Sequence, residues 1–71
     1  MPALESIRKL ILNSKLREAA KELDKALGRA KEEPELWYLR GVCSLKLNNY
    51  DYAQECFDYA LSFDQKAEYG N

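Results

Sequence analysis

The side chains that most often carry chemistry are scarce in this sequence. There is no histidine among the 71 residues, which removes the commonest general base and the commonest nitrogen ligand for a metal. Two thiols, Cys43 and Cys56, have residues 44–55 between them and no companion ligands at metal-binding spacing. They read as buried structural cysteines, not as half of a zinc site. The three glycines, Gly28, Gly41 and Gly70, lie too far apart to form a phosphate-cradling loop. Serine, lysine and glutamate occur, but nothing pairs a nucleophile with a base. No catalytic residue, metal or cofactor is expected, and the chain reads as a non-enzyme.

Charge offers a second possibility. Arg17, Lys21, Lys25 and Arg29 recur at i, i+4 along one helix face, a pattern able to meet nucleic acid or an acidic protein surface. Glu18, Glu22 and Asp24 sit beside that row, and a solvated outer face is the plainer reading. Net charge is −1, from 11 basic and 12 acidic residues, so no bulk field draws the chain to nucleic acid or to an anionic membrane. The balance is uneven: residues 1–33 hold +2 and residues 34–71 hold −3, which returns the −1 of the whole. Asp51, Glu55 and Asp58 fall on the outer side of the last helix, where pairing with the basic row of a second copy is conceivable. No apolar run reaches the ~18 residues of a membrane span, and the N-terminus lacks the apolar stretch of a signal peptide. A cytoplasmic protein with reduced thiols is expected, and the Met-Pro start fits a natural N-terminus.

The elements that hold these residues are all helical. Leu4, Ile7, Leu10, Ile11 and Leu12 recur at helical spacing behind Pro2, and Asn13-Ser14-Lys15 then makes a turn or N-cap. From Leu16 a second helix runs with Ala19, Ala20, Leu23, Ala26 and Leu27 on one stripe, weakening at Gly28. Lys31-Glu32-Glu33 is a polar break, and Pro34 suits the first turn of a third helix that reaches Leu47. Asn48-Asn49 is the next turn. A fourth helix follows from Tyr50 to about Phe63, with Tyr50, Ala53, Phe57, Ala60 and Leu61 expected on its inner face. The tail extends that helix until Gly70, or Ala67-Glu68-Tyr69 begins a third hairpin. Apolar content of 46% and charged content of 32% describe one globular domain, small enough to be marginally stable.

The sequence also repeats. Shifted by 34 residues, Ala19 falls on Ala53, Leu23 on Phe57, Asp24 on Asp58, Ala26 on Ala60 and Leu27 on Leu61, while Leu16 falls on Tyr50. The turns at Asn13-Ser14 and Leu47-Asn48 come into register. This period, with Trp37, Gly41, Asn49-Tyr50, Ala53, Phe57 and Ala60 in the second unit, resembles the tetratricopeptide repeat. Small Gly41 and Ala53 would let the antiparallel helices approach, Trp37 and Phe57 would fill the space on either side, and Ala60 would let the next hairpin stack. Some positions depart from the pattern. Ala3 stands where a large aromatic is usual, Ile7 where a small residue is, Arg40 and Ser44 where an apolar pair is, and Gln65 where proline is common. Looser packing of the first hairpin is the consequence expected.

The resemblance implies an all-α fold: two antiparallel helical hairpins stacked as a short right-handed solenoid. The single domain covers residues 1–71, with repeat one at about 2–33 and repeat two at about 34–67. It further implies an interaction module whose concave groove receives an apolar or amphipathic helix or peptide. Leu4, Arg8, Ile11 and Leu12 would line that groove from the first hairpin, and Glu35, Tyr38, Val42, Leu45 and Lys46 from the third helix. These are mainly apolar, so clamping an acidic chaperone C-terminus is not expected. Tyr38, Val42 and Leu45 form a stripe distinct from the Trp37–Gly41 stripe, leaving the third helix apolar on two faces. Because two repeats are fewer than such stacks usually need, a homodimer or a longer array is the alternative.

Overall fold

The computed structural model describes the backbone of residues 2–69 and the side chains of residues 4–64. Four helices follow one another: α1 (Pro2–Leu12), α2 (Leu16–Arg29), α3 (Pro34–Lys46) and α4 (Tyr50–Tyr69). They form two helical hairpins, α1–α2 and α3–α4, and the principal packing runs only between successive helices. Packing is most extensive between α3 and α4 and thinnest between α1 and α2, in line with the looser first hairpin.

The same corner is built twice. Ser14 and Asn48 both lie in the left-handed region, at φ 63° and 68°, and the two positions are in register under the 34-residue shift. At the first corner Ser14 N–H donates to Ile11 O at 3.0 Å and Lys15 N–H to Leu10 O at 2.8 Å. At the second, Asn48 N–H donates to Leu45 O at 3.0 Å and Asn49 N–H to Ser44 O at 2.8 Å. Each pair closes the preceding helix as a Schellman motif, satisfying carbonyls that a helix end leaves open. Ser14 thus serves the end of α1 and not the N-cap of α2, a position held by Lys15 with no side-chain capping bond.

Between the hairpins, Pro34 opens α3 at its first position, where its missing N–H costs nothing. Trp37 Nε1–H donates to Lys31 O at 2.6 Å and fastens the connection to α3. The core joins both hairpins: Ile7, Ala19, Ala20, Leu23 and Leu27 meet Leu36, Leu39 and Cys43 in one buried cluster. The buried face of α2 carries Ala19, Leu23 and Leu27 at i, i+4 and i+8, the spacing that keeps side chains on one side of a helix.

Two expectations are corrected. The buried face of α4 is Ala53, Cys56 and Ala60, whereas Tyr50 and Leu61 are exposed; both sit on the side of hairpin two that carries no further helix among the described residues. Ala67-Glu68-Tyr69 continues α4 and does not begin a new hairpin, because Gln65 keeps the backbone donor that proline would remove. Arg40 and Ser44, which replace the usual apolar pair, are joined to each other, and Arg40 also reaches Asp24 of α2. Gly70 lies outside the described residues, as does the side chain of Ala3.

Candidate interaction surface

Around Arg40 the seam between the hairpins is polar and satisfied. Its Nε–H donates to Asp24 Oδ1 at 2.9 Å, its Nη1 donates to Ser44 Oγ at 2.9 Å, and its guanidinium lies 4.9 Å over the Tyr52 ring. Ser44 is 1% exposed, so its hydroxyl requires that partner. Cys43 and Cys56 are free and buried beside this network. Burial pushes both thiols above their ordinary range, opposed at Cys43 by Arg40 and at Cys56 by the Tyr52 hydroxyl and then Arg40, and burial raises Tyr52 likewise. A thiol held protonated in this way is a poor nucleophile and a poor metal ligand. Among the described residues no group of three His, Cys, Asp or Glu is placed to hold a metal ion.

Within hairpin two, Gly41 faces the ring of Phe57. A Cβ at Gly41 would stand 2.7 Å from Phe57 Cε1 and 2.9 Å from Cδ1, closer than carbon atoms pack. The missing side chain is therefore what lets Phe57 lie against α3. Tyr38 tilts over the other side of that ring, with centroids 5.7 Å apart. On the outer side Trp37 meets Tyr59 at 4.6 Å, and Tyr59 stacks on Phe63 at 6.4 Å. Aromatic pairs at these distances add to what area burial alone supplies.

The residues expected to line a groove fall into two groups. Leu4 and Ile11 are partly buried and pack against the core cluster, so they support α1 more than they display it. Arg8 bonds Glu35 and joins α1 to α3, while Leu12 is 82% exposed. On α3, Tyr38 is 55% and Leu45 46% exposed, Val42 is half-buried and Lys46 is exposed. Tyr38 and Leu45 both line clefts against α4. Tyr38 helps line a cleft of about 600 Å³ with Pro34, Phe57, Ala60, Leu61 and three acids, Glu33, Glu35 and Asp64. Leu45 lines a smaller one of about 330 Å³ with Tyr50, Ala53, Gln54 and Phe57. Phe57, Leu61 and Tyr50 are surface residues that a reading of α4 as a simple inward stripe misses. The 34-residue alignment holds the signal for Phe57 and Leu61, because it equates them with Leu23 and Leu27 of α2, which face the next hairpin.

The basic row Arg17, Lys21, Lys25 and Arg29 is exposed on α2, with Lys25 3.8 Å from Glu22. A mixed, solvated face of this kind carries no site by itself. None of the helices among the described residues is long and apolar enough to cross a membrane.

The chain matches no curated protein and no solved structure. A family model does match, over residues 34–67, the span of hairpin two. Those residues carry the Gly41–Phe57 approach, the Trp37 packing and the second Schellman corner. The repeats so described are interaction and scaffold modules that are typically not catalytic. Hairpin two thus matches the tetratricopeptide repeat, and the four-helix arrangement as a whole is consistent with a repeat of that type.

Proposed function

We propose that the chain is a protein-interaction module that holds an apolar or amphipathic helix against α3. Tyr38, Val42 and Leu45 are its apolar anchors and Lys46 stands at its edge; Leu4, Arg8, Ile11 and Leu12 extend the surface along α1. In this reading residues 1–71 are one domain of two repeats, with residues 2–33 forming the first. The matching backbone bonds at Ser14 and Asn48 support that division. The observation that carries the proposal is the exposure of Tyr38 and Leu45 on one row of α3, since contiguous apolar surface marks partner sites. No catalysis, cofactor or nucleic acid is involved, and two reduced buried thiols suit a cytoplasmic location.

The test is selection of binders from a library of helical peptides. Tyr38→Ala with Leu45→Ala is expected to lose the enriched peptides while its circular dichroism stays helical. Undiminished enrichment by the double variant would sink the proposal. A second reading, self-assembly as a homodimer or stack, is favoured by the exposure of Leu61 and Tyr50 on the open side of hairpin two. Light scattering at two well-separated concentrations tests it, and a monomer at both would rule it out.

A further inference from the structure

The junction between the two hairpins shows how a helix docks on this scaffold. On hairpin one, Leu23 and Leu27 of α2 are covered by α3, which lays Leu36, Leu39 and Cys43 into the same cluster. Four residues after Leu36, on the edge of that face, Arg40 reaches Asp24. The docked helix therefore offers apolar residues at i, i+3 and i+7 and a cation at i+4.

Hairpin two presents the same receiving face, and no described residue covers it. Under the 34-residue shift Leu23 becomes Phe57, Leu27 becomes Leu61, Leu4 becomes Tyr38 and the acid Asp24 becomes Asp58. Leu27 is 7% exposed beneath α3, whereas Leu61 is 59% exposed. The cleft between α3 and α4 has an apolar floor of Tyr38, Phe57, Ala60 and Leu61. Glu33 and Asp64 stand on its margin, and Asp58 is exposed on α4.

We propose that this face docks a cationic amphipathic helix of a partner protein, seated as α3 is seated on hairpin one, with an arginine or lysine meeting Asp58. The proposal rests on the helix-binding reading above and adds the face and the partner's charge. Charge and polarity argue against a second copy as the occupant. Related by a two-fold axis, two such faces would bring Glu33, Asp58 and Asp64 against their own kind. Stacked head to tail, the next copy would offer α1, where Glu5 and Lys9 stand in the places of Leu39 and Cys43. Those exposed polar side chains cannot fill the apolar floor.

The experiment measures anisotropy of two labelled synthetic helices on the full chain. Both carry leucine at i, i+3 and i+7; one is flanked by arginine and the other by glutamate. The arginine helix is expected to bind and the glutamate helix to bind at least about tenfold more weakly, the gap narrowing with added salt. Leu61→Glu should abolish binding, and Asp58→Lys with Asp64→Lys should weaken the arginine helix by about tenfold. Lys21→Gln, on the solvated row of α2 and away from this face, should change nothing. Equal binding of the two helices overturns the proposal. So does loss of binding in Leu12→Glu but not in Leu61→Glu, which would leave the α1–α3 surface as the site. A dimer that Leu61→Glu converts to monomer, with neither helix bound, would make a second copy the occupant and also overturn it.

Discussion

Arg40 of α3 and Asp24 of α2 meet at 2.9 Å, and this pair spans the seam where one hairpin stacks on the other. The arginine side chain is mostly withdrawn from solvent and the aspartate is about half exposed. Removing the acid therefore strands a cation that cannot fully return to water. Asp24→Ala is expected to cost about 1–2 kcal/mol of stability. Arg40→Leu with Ser44→Ala replaces the polar pair by apolar groups and should stay within about 1 kcal/mol of the parent. Urea unfolding followed by circular dichroism checks both. A double variant as damaged as Asp24→Ala would show that the network holds the seam more tightly than apolar packing does.

The close approach of Gly41 to Phe57 sets a second expectation. Gly41→Ala should destabilise by about 1–3 kcal/mol through overpacking, despite alanine's better helix propensity. Gly28, which has nothing within 4 Å of an added Cβ, should respond oppositely, with Gly28→Ala gaining about 0.5–1 kcal/mol. Thermal unfolding of the two variants side by side separates the cases. Equal shifts of the same sign would contradict the geometry.

At the corners, Ser14 and Asn48 adopt a conformation that glycine accepts freely and most side chains resist. Ser14→Gly is expected to raise stability by about 0.5–1 kcal/mol. Asn48→Gly should gain less, since asparagine tolerates that region and its Oδ1 accepts a bond from Tyr50 Oη at 3.0 Å. Denaturant midpoints rank the two, and a larger gain at Asn48 would reverse the argument.

The buried thiols predict an alkaline limit. Cys43 and Cys56 in the unfolded chain lose protons near the ordinary thiol value of 9.0, while the folded chain keeps them to higher pH. Above that value the unfolded state binds fewer protons, so stability falls as pH rises. It should be fully present below about pH 8 and decline as pH passes 9, with Tyr52 adding its share above 10.0. Urea midpoints across this range, compared with those of Cys56→Ser, give the measurement. A flat profile in the parent protein would show that the thiols are not protected by folding.

Much of the fold is legible in the sequence because its signals are local and repeated. Pro34, the polar turns and the spacing of Ala19, Leu23 and Leu27 each act within one or two helical turns, and the 34-residue shift ties them together. The site is less legible because exposure is set by what packs on top of a residue. Leu27 and Leu61 are the same residue type at equivalent positions, yet α3 covers one and no described residue covers the other. Arg40 and Ser44 look like defects in an apolar pattern until Asp24, on another helix, supplies the missing partner. The direction in which Tyr38 turns depends on the Phe57 ring, which Gly41 admits.

Because each helix packs chiefly on the one before and the one after it, the molecule resembles a short zipper more than a knot. Its teeth are unequal: α1 is held by the thinnest packing and α3 with α4 by the thickest. Such a chain opens in stages, shedding α1 at the lowest energy and surrendering hairpin two last. Amide exchange would follow that order, fastest in α1 and slowest where α3 lies against α4. The proposed helix-docking face is thereby mounted on the half of the protein that stays closed longest.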